Sequence, residues 1–238
     1  MASANAVLLV DDEELFRMTL RVVLATRIPG VQVLEARDGQ EALDILQRER
    51  VDCVVSDLIM PGMHGTTMLA ELITRRVHVP VIVVSAYAAA APPIEGALIC
   101  LPKPVDLDLL CNTIAQSLVA SPPTSEAALM GLLHVLACRM GTCTVQVTSR
   151  GGGVTRRGTI TMRRGSVTEA RASIENGVAL SRVGLDAAAD ILGWDKPEVT
   201  LSDELGASDL AEAQVEEALG TVFAYAVARR RAATARRC

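Results

Sequence analysis

The first 120 residues alternate short apolar runs with amphipathic stretches, and this alternation restricts the fold more than any other feature of the sequence. The apolar runs occupy residues 7–10, 31–35, 53–56, 81–85 and 99–101. The first, third and fourth are almost wholly apolar, as is typical of parallel strands that are buried on both faces. Stretches with helical spacing occupy residues 14–26, 39–50, 66–76 and 106–118. The alternation therefore predicts an α/β fold, in which helices cover both faces of a sheet.

Details of the helical stretches support this interpretation. Asp38 and Asp106 stand at the start of two of them, where an aspartate side chain can cap the free N–H groups of the first turn. In the first stretch, four apolar residues share one face: Leu15, Met18, Val22 and Val23.

Polar and charged residues stand where the predicted strands end. Asp11 and Asp12 follow the first strand, Asp57 follows the third, Ser85 ends the fourth and Lys103 follows the fifth. Because ligand sites of α/β sheets form beyond the carboxyl ends of the strands, we expect these side chains to converge. Each of them alone fits a turn or a helix cap, but that interpretation does not explain all of them at successive strand ends.

The residue types point to phosphoryl chemistry. Clustered carboxylates repel one another and need a cation to stay ionised. Mg²⁺ suits such an oxygen-lined site, because it takes one or two carboxylates together with phosphate oxygens. Asp57 can then act as a nucleophile that forms an acyl phosphate. Lys103 can pair with the new phosphate, and Ser85 can donate a hydrogen bond to one of its oxygens.

Four segments resemble motifs of the response-regulator receiver family: VDDE at 10–13, DLIMPGMHG at 57–65, SAY at 85–87 and LPKP at 101–104. The resemblance covers about residues 5–120. It implies a flavodoxin-like fold with a five-stranded parallel sheet, a histidine kinase as phosphoryl donor, and slow self-hydrolysis. It further implies that Asp57 is the phosphoacceptor and that Ser85 and Lys103 contact the phosphate. Asp12, Asp57 and the backbone carbonyl of Ile59 would bind Mg²⁺, and Asp11 would support the ion through water.

The sequence departs from the family pattern in two places. The family usually carries an aromatic residue three positions before the lysine, and this chain has Cys100 there. Two consecutive prolines, Pro92 and Pro93, stand where the fourth helix of a receiver should run, and proline cannot continue a helix. These departures leave open whether phosphorylation drives the usual conformational change.

A stretch of small polar residues and prolines at 121–125 divides the chain into a domain of residues 1–120, a linker and a second domain of residues 126–238. The second domain is predicted to be α+β with antiparallel hairpins. Strands are expected at 142–149, 155–163, 166–172 and 199–201, and helices at 126–140, 185–194 and 210–230, the last of them long. Three glycines at 151–153 favour a hairpin turn over a phosphate-binding loop, since no Gly-Lys-Ser/Thr follows them.

The second domain resembles the PATAN-type domain in four segments: LLHVL at 132–136, GTCTV at 141–145, RGTITMRRGSVTEA at 157–170 and AAADILGW at 187–194. The resemblance covers about residues 125–202. It implies a protein-interaction module of the kind found in regulators of motility and development.

Composition restricts the remaining function classes. The net charge is −5 and aromatic residues make up 2% of the chain, which disfavours a basic DNA-binding surface or a stacking platform for single strands. The six cysteines form no CxxC pair, and the apolar run near the N-terminus is too short to span a membrane. We therefore expect a cytoplasmic protein that is no enzyme beyond its own phosphorylation and dephosphorylation, with an unidentified protein effector.

Several alternatives stay open at this point. A pseudo-receiver scaffold would never carry phosphate, and a transcriptional regulator would need a DNA-recognition element that the sequence does not display. Whether the chain forms a homodimer also stays open.

Overall fold

The computed structural model describes residues 5–86, 99–138, 142–163, 166–175, 182–202 and 217–218. The chain divides into two compact units. The first comprises Met1–Leu72 and Val77–Gly131, and the second comprises Ile73–Arg76 and Leu132–Cys238. The domain limits expected at residues 120 and 126 stay a prediction. Within the described ranges, no helix combines the length and the apolar character that crossing a bilayer requires.

The first unit is built on a five-stranded parallel sheet with the strand order β2-β1-β3-β4-β5. Its strands are β1 (Ala6–Val10), β2 (Gln32–Ala36), β3 (Cys53–Ser56), β4 (Val81–Ser85) and β5 (Ile99–Pro102). Its helices are α1 (Glu14–Arg27), α2 (Gly39–Arg48), α3 (Gly65–Arg75) and α4 (Leu107–Val119). This strand order is that of flavodoxin-like folds, and it confirms the predicted five-stranded parallel sheet.

Side chains on both faces of the central strands are buried. On one face, Val7, Val55 and Val84 join a hydrophobic cluster that includes Leu24 of α1 and Ile114 of α4. Side chains that alternate with these along the strands point to the other face, and Leu8, Val54 and Val83 are fully buried there. The wholly apolar composition of these runs thus follows from burial on two sides.

Helix α1 presents an apolar stripe to solvent rather than to the core. Leu15, Met18 and Val22 are 79%, 44% and 63% exposed. The core face of the helix is formed instead by Leu20 and Leu24, with Phe16 and Val23 half-buried beside them. The apolar face predicted from the sequence is therefore mostly a surface feature, and Val23 alone of its four members packs against the core.

The two predicted helix caps are present. The Asp38 side chain accepts a hydrogen bond of 2.9 Å from the amide of Glu41 at the start of α2. The Asp106 side chain accepts bonds from the amides of Asp108 and Leu109, at 2.9 and 3.1 Å, at the start of α4. Each carboxylate satisfies amides that have no partner within the helix, which explains why the helices begin where they do.

The second unit contains an antiparallel sheet with the strand order β10-β6-β7-β8-β11, and β9 also pairs with β8. Its strands are β6 (Thr142–Gly151), β7 (Val154–Arg163), β8 (Ser166–Glu175), β9 (Arg182–Val183), β10 (Pro197–Ser202) and β11 (Glu217–Ala218). Helix α5 (Ser125–Cys138) includes the boundary between the units, and α6 (Gly184–Leu192) packs against β8 and β7. The predicted antiparallel α+β character is confirmed.

The triple glycine forms the predicted hairpin turn between β6 and β7. Gly151 pairs with Val154, so Gly152 and Gly153 alone make the turn. Their φ angles are +59° and +75°, a left-handed conformation at both central positions that only glycine adopts without strain.

The long helix predicted over residues 210–230 is not supported. The described part of that range is Glu217–Ala218, and these residues form a short strand opposite Ser166 and Val167 of β8. The short strand pairs backbone groups on the edge of β8 that does not face β7, and helical spacing in the sequence does not reveal such an edge. The rest of that range and the double-proline stretch at 92–93 lie outside the described residues.

Candidate functional site

Two central strands place the acidic residues at one edge of the sheet. β1 ends immediately before Asp11, and β3 ends immediately before Asp57. The amide of Asp57 donates a 2.9 Å hydrogen bond to the carbonyl of Val10, and the amide of Asp11 donates one of 3.2 Å to Ala36. Backbone pairing thus continues up to the acidic residues and holds them in register.

The Asp57 carboxylate is held through both of its oxygens. Oδ1 accepts hydrogen bonds from the amides of Leu58 and Ile59, at 2.5 and 3.2 Å. Oδ2 accepts a bond of 2.6 Å from Nζ of Lys103. The side chain is 12% exposed, so a small donor can reach it from one side while the protein fixes its orientation.

Lys103 joins the acidic residues. Its Nζ lies 2.6 Å from Oδ2 of Asp57, 2.9 Å from Oδ2 of Asp11 and 3.8 Å from Oε1 of Glu13. Burial lowers the pKa of the Lys103 ammonium, but its bonds to Asp57 and Asp11 and the charge of these carboxylates outweigh burial, so the pKa is raised above its ordinary value. The side chain therefore stays cationic at the acidic edge.

Asp11 is the most deeply buried of the acidic residues. Its Oδ1 accepts a 2.8 Å hydrogen bond from the amide of Glu13, and its backbone carbonyl accepts one of 2.5 Å from Nη1 of Arg17. Burial raises the pKa of Asp11 above its ordinary value, although Lys103 and the Glu13 amide oppose this effect. A second cation near Asp11 would favour its ionised form.

The acidic edge has the donor set of a site for a hard cation. Asp11, Asp12 and Asp57 each offer a carboxylate oxygen, and these oxygens lie within 4.8 Å of one another. Among the described residues this group is the one whose ligand atoms cluster in this way. Oxygen ligands from a small number of carboxylates are what Mg²⁺ prefers, so the residues fit that ion.

The remaining predicted site residues lie beside this cluster. Ser85 is buried at the end of β4, and its carbonyl accepts a 3.0 Å hydrogen bond from the amide of Lys103. Ile59 is 41% exposed, and its amide bonds Asp57. The structure thus places the predicted residues at one edge of the first unit, and their roles in phosphoryl transfer and metal binding stay predictions.

Sequence reasoning missed two residues of this edge, both in the first turn of α1. Arg17 bonds the carbonyl of Asp11 and lies 3.5 Å from a carboxylate oxygen of Glu35. Phe16 places its ring 4.8 Å from Nζ of Lys103. The scarcity of aromatic residues in the chain was a signal that could have drawn attention to Phe16.

Gly65 is required by the loop that carries Asp57. A Cβ atom at this position would overlap the carbonyl oxygen of Asp57 and lie 3.0 Å from Cα of Leu58. The amide of Gly65 donates a 3.0 Å hydrogen bond to the carbonyl of Leu58, which closes the loop. The glycine at the end of the motif at 57–65 is therefore a packing requirement of the loop that begins at Asp57.

Comparison with known proteins identifies the class of the first unit. The family model described as "Response regulator receiver domain" matches residues 7–115. This range contains β1 to β5 and the cluster of Asp11, Asp57 and Lys103. Residues 7–115 therefore form a receiver domain of the kind found in response regulators of two-component systems.

Relatives of the chain match it over only a part of their own length. The transcriptional regulatory protein GlrR of Escherichia coli (strain K12) is 37% identical over 123 residues, which cover 50% of this chain and 27% of GlrR. The sensor kinase CckA of Brucella abortus (strain 2308) is 39% identical over 124 residues, or 50% of this chain and 13% of the kinase. The chain thus spans about a quarter or less of these two relatives.

Two of the solved structures to which the chain is similar are receiver domains. The receiver domain of the Francisella response regulator 1452 is 27% identical, with a TM-score of 0.44, and covers 48% of this chain and 96% of that structure. The receiver domain of the hybrid histidine kinase CckA is 34% identical, with a TM-score of 0.40, and covers 48% of this chain and 99% of that structure.

Proposed function

We propose that the chain is a response regulator in which Asp57 accepts a phosphoryl group from a histidine kinase in an Mg²⁺-dependent step, and in which the second unit acts as a protein-interaction output. The observation that carries the proposal is the arrangement at Asp57. Its carboxylate lies beside Asp11 and Asp12 and is bonded by Lys103, so that nucleophile, metal ligands and cation are together. A degenerate receiver has no need to keep all of these groups.

The chemistry needs one bond formed and one broken. An Asp57 carboxylate oxygen attacks the phosphorus of the donor, and the bond from phosphorus to the donor atom breaks, so that the leaving group departs with the electron pair. Lys103 stabilises the charge on the transferred group, because its ammonium lies 2.6 Å from Asp57. In dephosphorylation, which is a separate reaction, water attacks phosphorus, the bond to Asp57 breaks, and inorganic phosphate and the free carboxylate result.

Mg²⁺ would be held by the carboxylates of Asp12 and Asp57 and by the backbone carbonyl of Ile59, and Asp11 would support the ion through water. When bound, the ion neutralises charge on the phosphoryl group and on the acidic edge. Leu58 and Ile59 contribute independently of the ion, because their amides hold Oδ1 of Asp57 and thereby leave Oδ2 on the side of Lys103. The chain acts as an enzyme only on itself in this proposal.

Incubation of the full chain with acetyl phosphate and Mg²⁺ tests the acceptor assignment. We expect mass spectrometry to detect one added phosphoryl group, and we expect the adduct to disappear in Asp57→Asn and when EDTA replaces Mg²⁺. Asp44→Asn is the matched control, since Asp44 lies within α2 and bonds Gln40 there. No adduct in the wild type would support the pseudo-receiver scaffold instead, and an adduct that persists in Asp57→Asn would show that Asp57 is not the acceptor.

The exposed apolar stripe of α1 is where we propose that the kinase docks. α1 begins two residues after Asp12, so Leu15, Met18 and Val22 extend from the acidic edge along one exposed helix face. A donor protein that delivers its phosphoryl group to Asp57 must cover the surface beside that edge. Exposed apolar side chains there provide contact area that a kinase would bury.

A double variant separates docking from acceptor chemistry. For Leu15→Ser with Val22→Ser, we expect phosphoryl transfer from a phosphorylated histidine kinase of the same genome to fall at least about tenfold, because two exposed apolar contacts are lost. The rate with acetyl phosphate should stay unchanged, since neither residue contacts Asp57. Val119→Ser, at an 86% exposed apolar position at the end of α4, serves as the control. Equal slowing with both donors would contradict this docking surface.

The charge pattern of the second unit supports a protein-interaction output rather than DNA binding. Three exposed arginines of its sheet, Arg150, Arg157 and Arg171, are each paired with a glutamate, namely Glu198, Glu175 and Glu169. At these three positions, the paired glutamates reduce the positive potential that would attract phosphates. The resemblance to PATAN-type domains supports the same interpretation and adds motility or developmental signalling as its setting.

Titration of labelled duplex DNA with the full chain distinguishes these outputs. We expect no change in fluorescence anisotropy at low salt, with or without acetyl phosphate. Binding that weakens steeply as salt increases would instead favour a DNA-binding regulator, because release of counterions from phosphates produces that dependence.

A further inference from the structure

Lys103 has an aromatic partner in addition to its carboxylates. Its Nζ lies 4.8 Å from the centroid of the Phe16 ring. The same ammonium contacts Asp11 and Asp57 and lies 3.8 Å from Glu13. The cation is therefore surrounded by three carboxylates and one aromatic face.

Phe16 itself is held firmly. It lies in the first turn of α1, half-buried, and packs against the hydrophobic cluster that contains Leu20 of the same helix and Val55 of β3. It also lines a small cavity together with Asp11, Ser56 and Asp57. A ring packed in this way offers a fixed face to a flexible lysine.

An aromatic face attracts an ammonium through the negative face of its quadrupole, and distances up to about 6 Å are effective. The lysine side chain has a flexible four-carbon stem, so it can contact the carboxylates in several conformations. A ring on one side of the ammonium removes part of this freedom. The ring is uncharged and therefore attracts Lys103 without taking the position that the phosphoryl group would occupy at the acidic edge.

We propose that Phe16 is a positioning residue that holds the Lys103 ammonium beside Asp57 and thereby increases the rate at which Asp57 accepts a phosphoryl group. This inference rests on the proposed function, since the rate in question is that of phosphorylation at Asp57. Nothing in the receiver motifs at 10–13, 57–65, 85–87 and 101–104 includes Phe16.

The variants Phe16→Leu and Phe16→Met remove the aromatic face but keep an apolar side chain for packing. We expect adduct formation with acetyl phosphate to slow about three- to tenfold in both, because the cation–π contact is lost. Phe16→Tyr and Phe16→Trp keep an aromatic face, so we expect them to restore a rate close to that of the wild type. A purely structural role predicts no such distinction between aromatic and aliphatic replacements.

The lysine content of the chain permits a direct spectroscopic test. Lys103 and Lys196 are its only two lysines. In full-length protein labelled with ¹³C-lysine, NMR should therefore show two sets of ε-methylene signals, and Lys103→Arg assigns them. A ring current from Phe16 should shift the Lys103 signal upfield of the signal of Lys196, which is exposed. We expect Phe16→Leu to remove this shift and Phe16→Tyr to keep it.

The two readouts separate failure of this inference from failure of the proposed function. If the wild type forms no adduct but Lys103 shows the ring-current shift, the acceptor proposal is wrong and the ring–lysine contact stands. If the wild type forms the adduct and Phe16→Leu changes neither rate nor shift, the positioning role is wrong. Equal slowing by all four Phe16 variants, Phe16→Leu, Phe16→Met, Phe16→Tyr and Phe16→Trp, would also overturn it, since the aromatic face would then not matter.

Discussion

Replacing Lys103 with methionine is expected to slow phosphorylation of Asp57 about 100-fold, because removal of one preorganised charged donor from a site of this kind costs about that much in rate. The ammonium that bonds Asp57 at 2.6 Å and Asp11 at 2.9 Å would be lost, while methionine keeps most of the length of the side chain. The measurement is the initial rate of adduct formation with acetyl phosphate at saturating Mg²⁺.

The same variant should change the dependence of stability on Mg²⁺. Without metal, three carboxylates would repel one another with no cation between them, so we expect the free energy of unfolding to fall by about 3 kcal/mol. Mg²⁺ should restore more stability to Lys103→Met than to the wild type, because the ammonium no longer competes for the same carboxylates. Denaturant titrations with Mg²⁺ and with EDTA measure both effects.

The controls for this prediction are the variants Lys196→Met and Lys103→Arg. Lys196→Met removes a lysine from an exposed position of the second unit. It should leave the rate of adduct formation and the free energy of unfolding unchanged. Lys103→Arg keeps the charge but replaces a compact ammonium with a planar guanidinium, so stability without Mg²⁺ should be largely kept while the rate still falls. An unchanged rate in Lys103→Met would show that the ammonium does not act on the transferred group.

The second large effect is expected for Gly65→Ala. The new Cβ would overlap the carbonyl oxygen of Asp57, and the neighbouring atoms are backbone atoms that cannot rotate away. We expect the free energy of unfolding of the first unit to fall by about 3 kcal/mol, which is the upper range for overpacking. We also expect adduct formation to slow about 100-fold, since a displacement of the nucleophile of about 1 Å costs this much.

Gly62→Asn is the matched control in the same loop. Gly62 has a φ of +77° and open space around it, and asparagine tolerates this conformation better than most residues. A modest loss of stability with a normal rate is expected. If Gly65→Ala phosphorylates as fast as Gly62→Asn, the acceptor loop adapts more easily than its packing indicates.

The parallel sheet could be predicted from the sequence because its central strands are buried on two sides. Such strands are nearly all apolar, and β3 and β4 have the limits expected from their apolar runs. The site could be predicted for a related reason, because the carboxyl ends of parallel strands meet at one edge of the sheet. Asp11, Asp12, Asp57 and Lys103 could therefore be grouped before any distance was known.

Features that depend on contacts between distant segments could not be predicted. Spacing alone placed Leu15, Met18 and Val22 on one face of α1 but could not show that this face points to solvent. Phe16 was missed because its partner Lys103 is 87 positions away along the sequence. The strand at Glu217–Ala218 was missed because its partner is an edge of β8 that is created only by folding.

Lys103 and the carboxylates it joins follow strands with different numbers of neighbours. β1 and β3, which precede Asp11 and Asp57, pair with strands on both sides, whereas β5, which precedes Lys103, pairs with β4 at the edge of the sheet. Because local opening costs less free energy at such an edge, amide hydrogens of β5 should exchange with solvent before those of β1 and β3. Each brief opening of β5 would withdraw the cation and leave the acids assembled. During such an opening we expect the acidic residues to stay assembled without their neutralising ammonium, so the repulsion between them would appear only in the opened state.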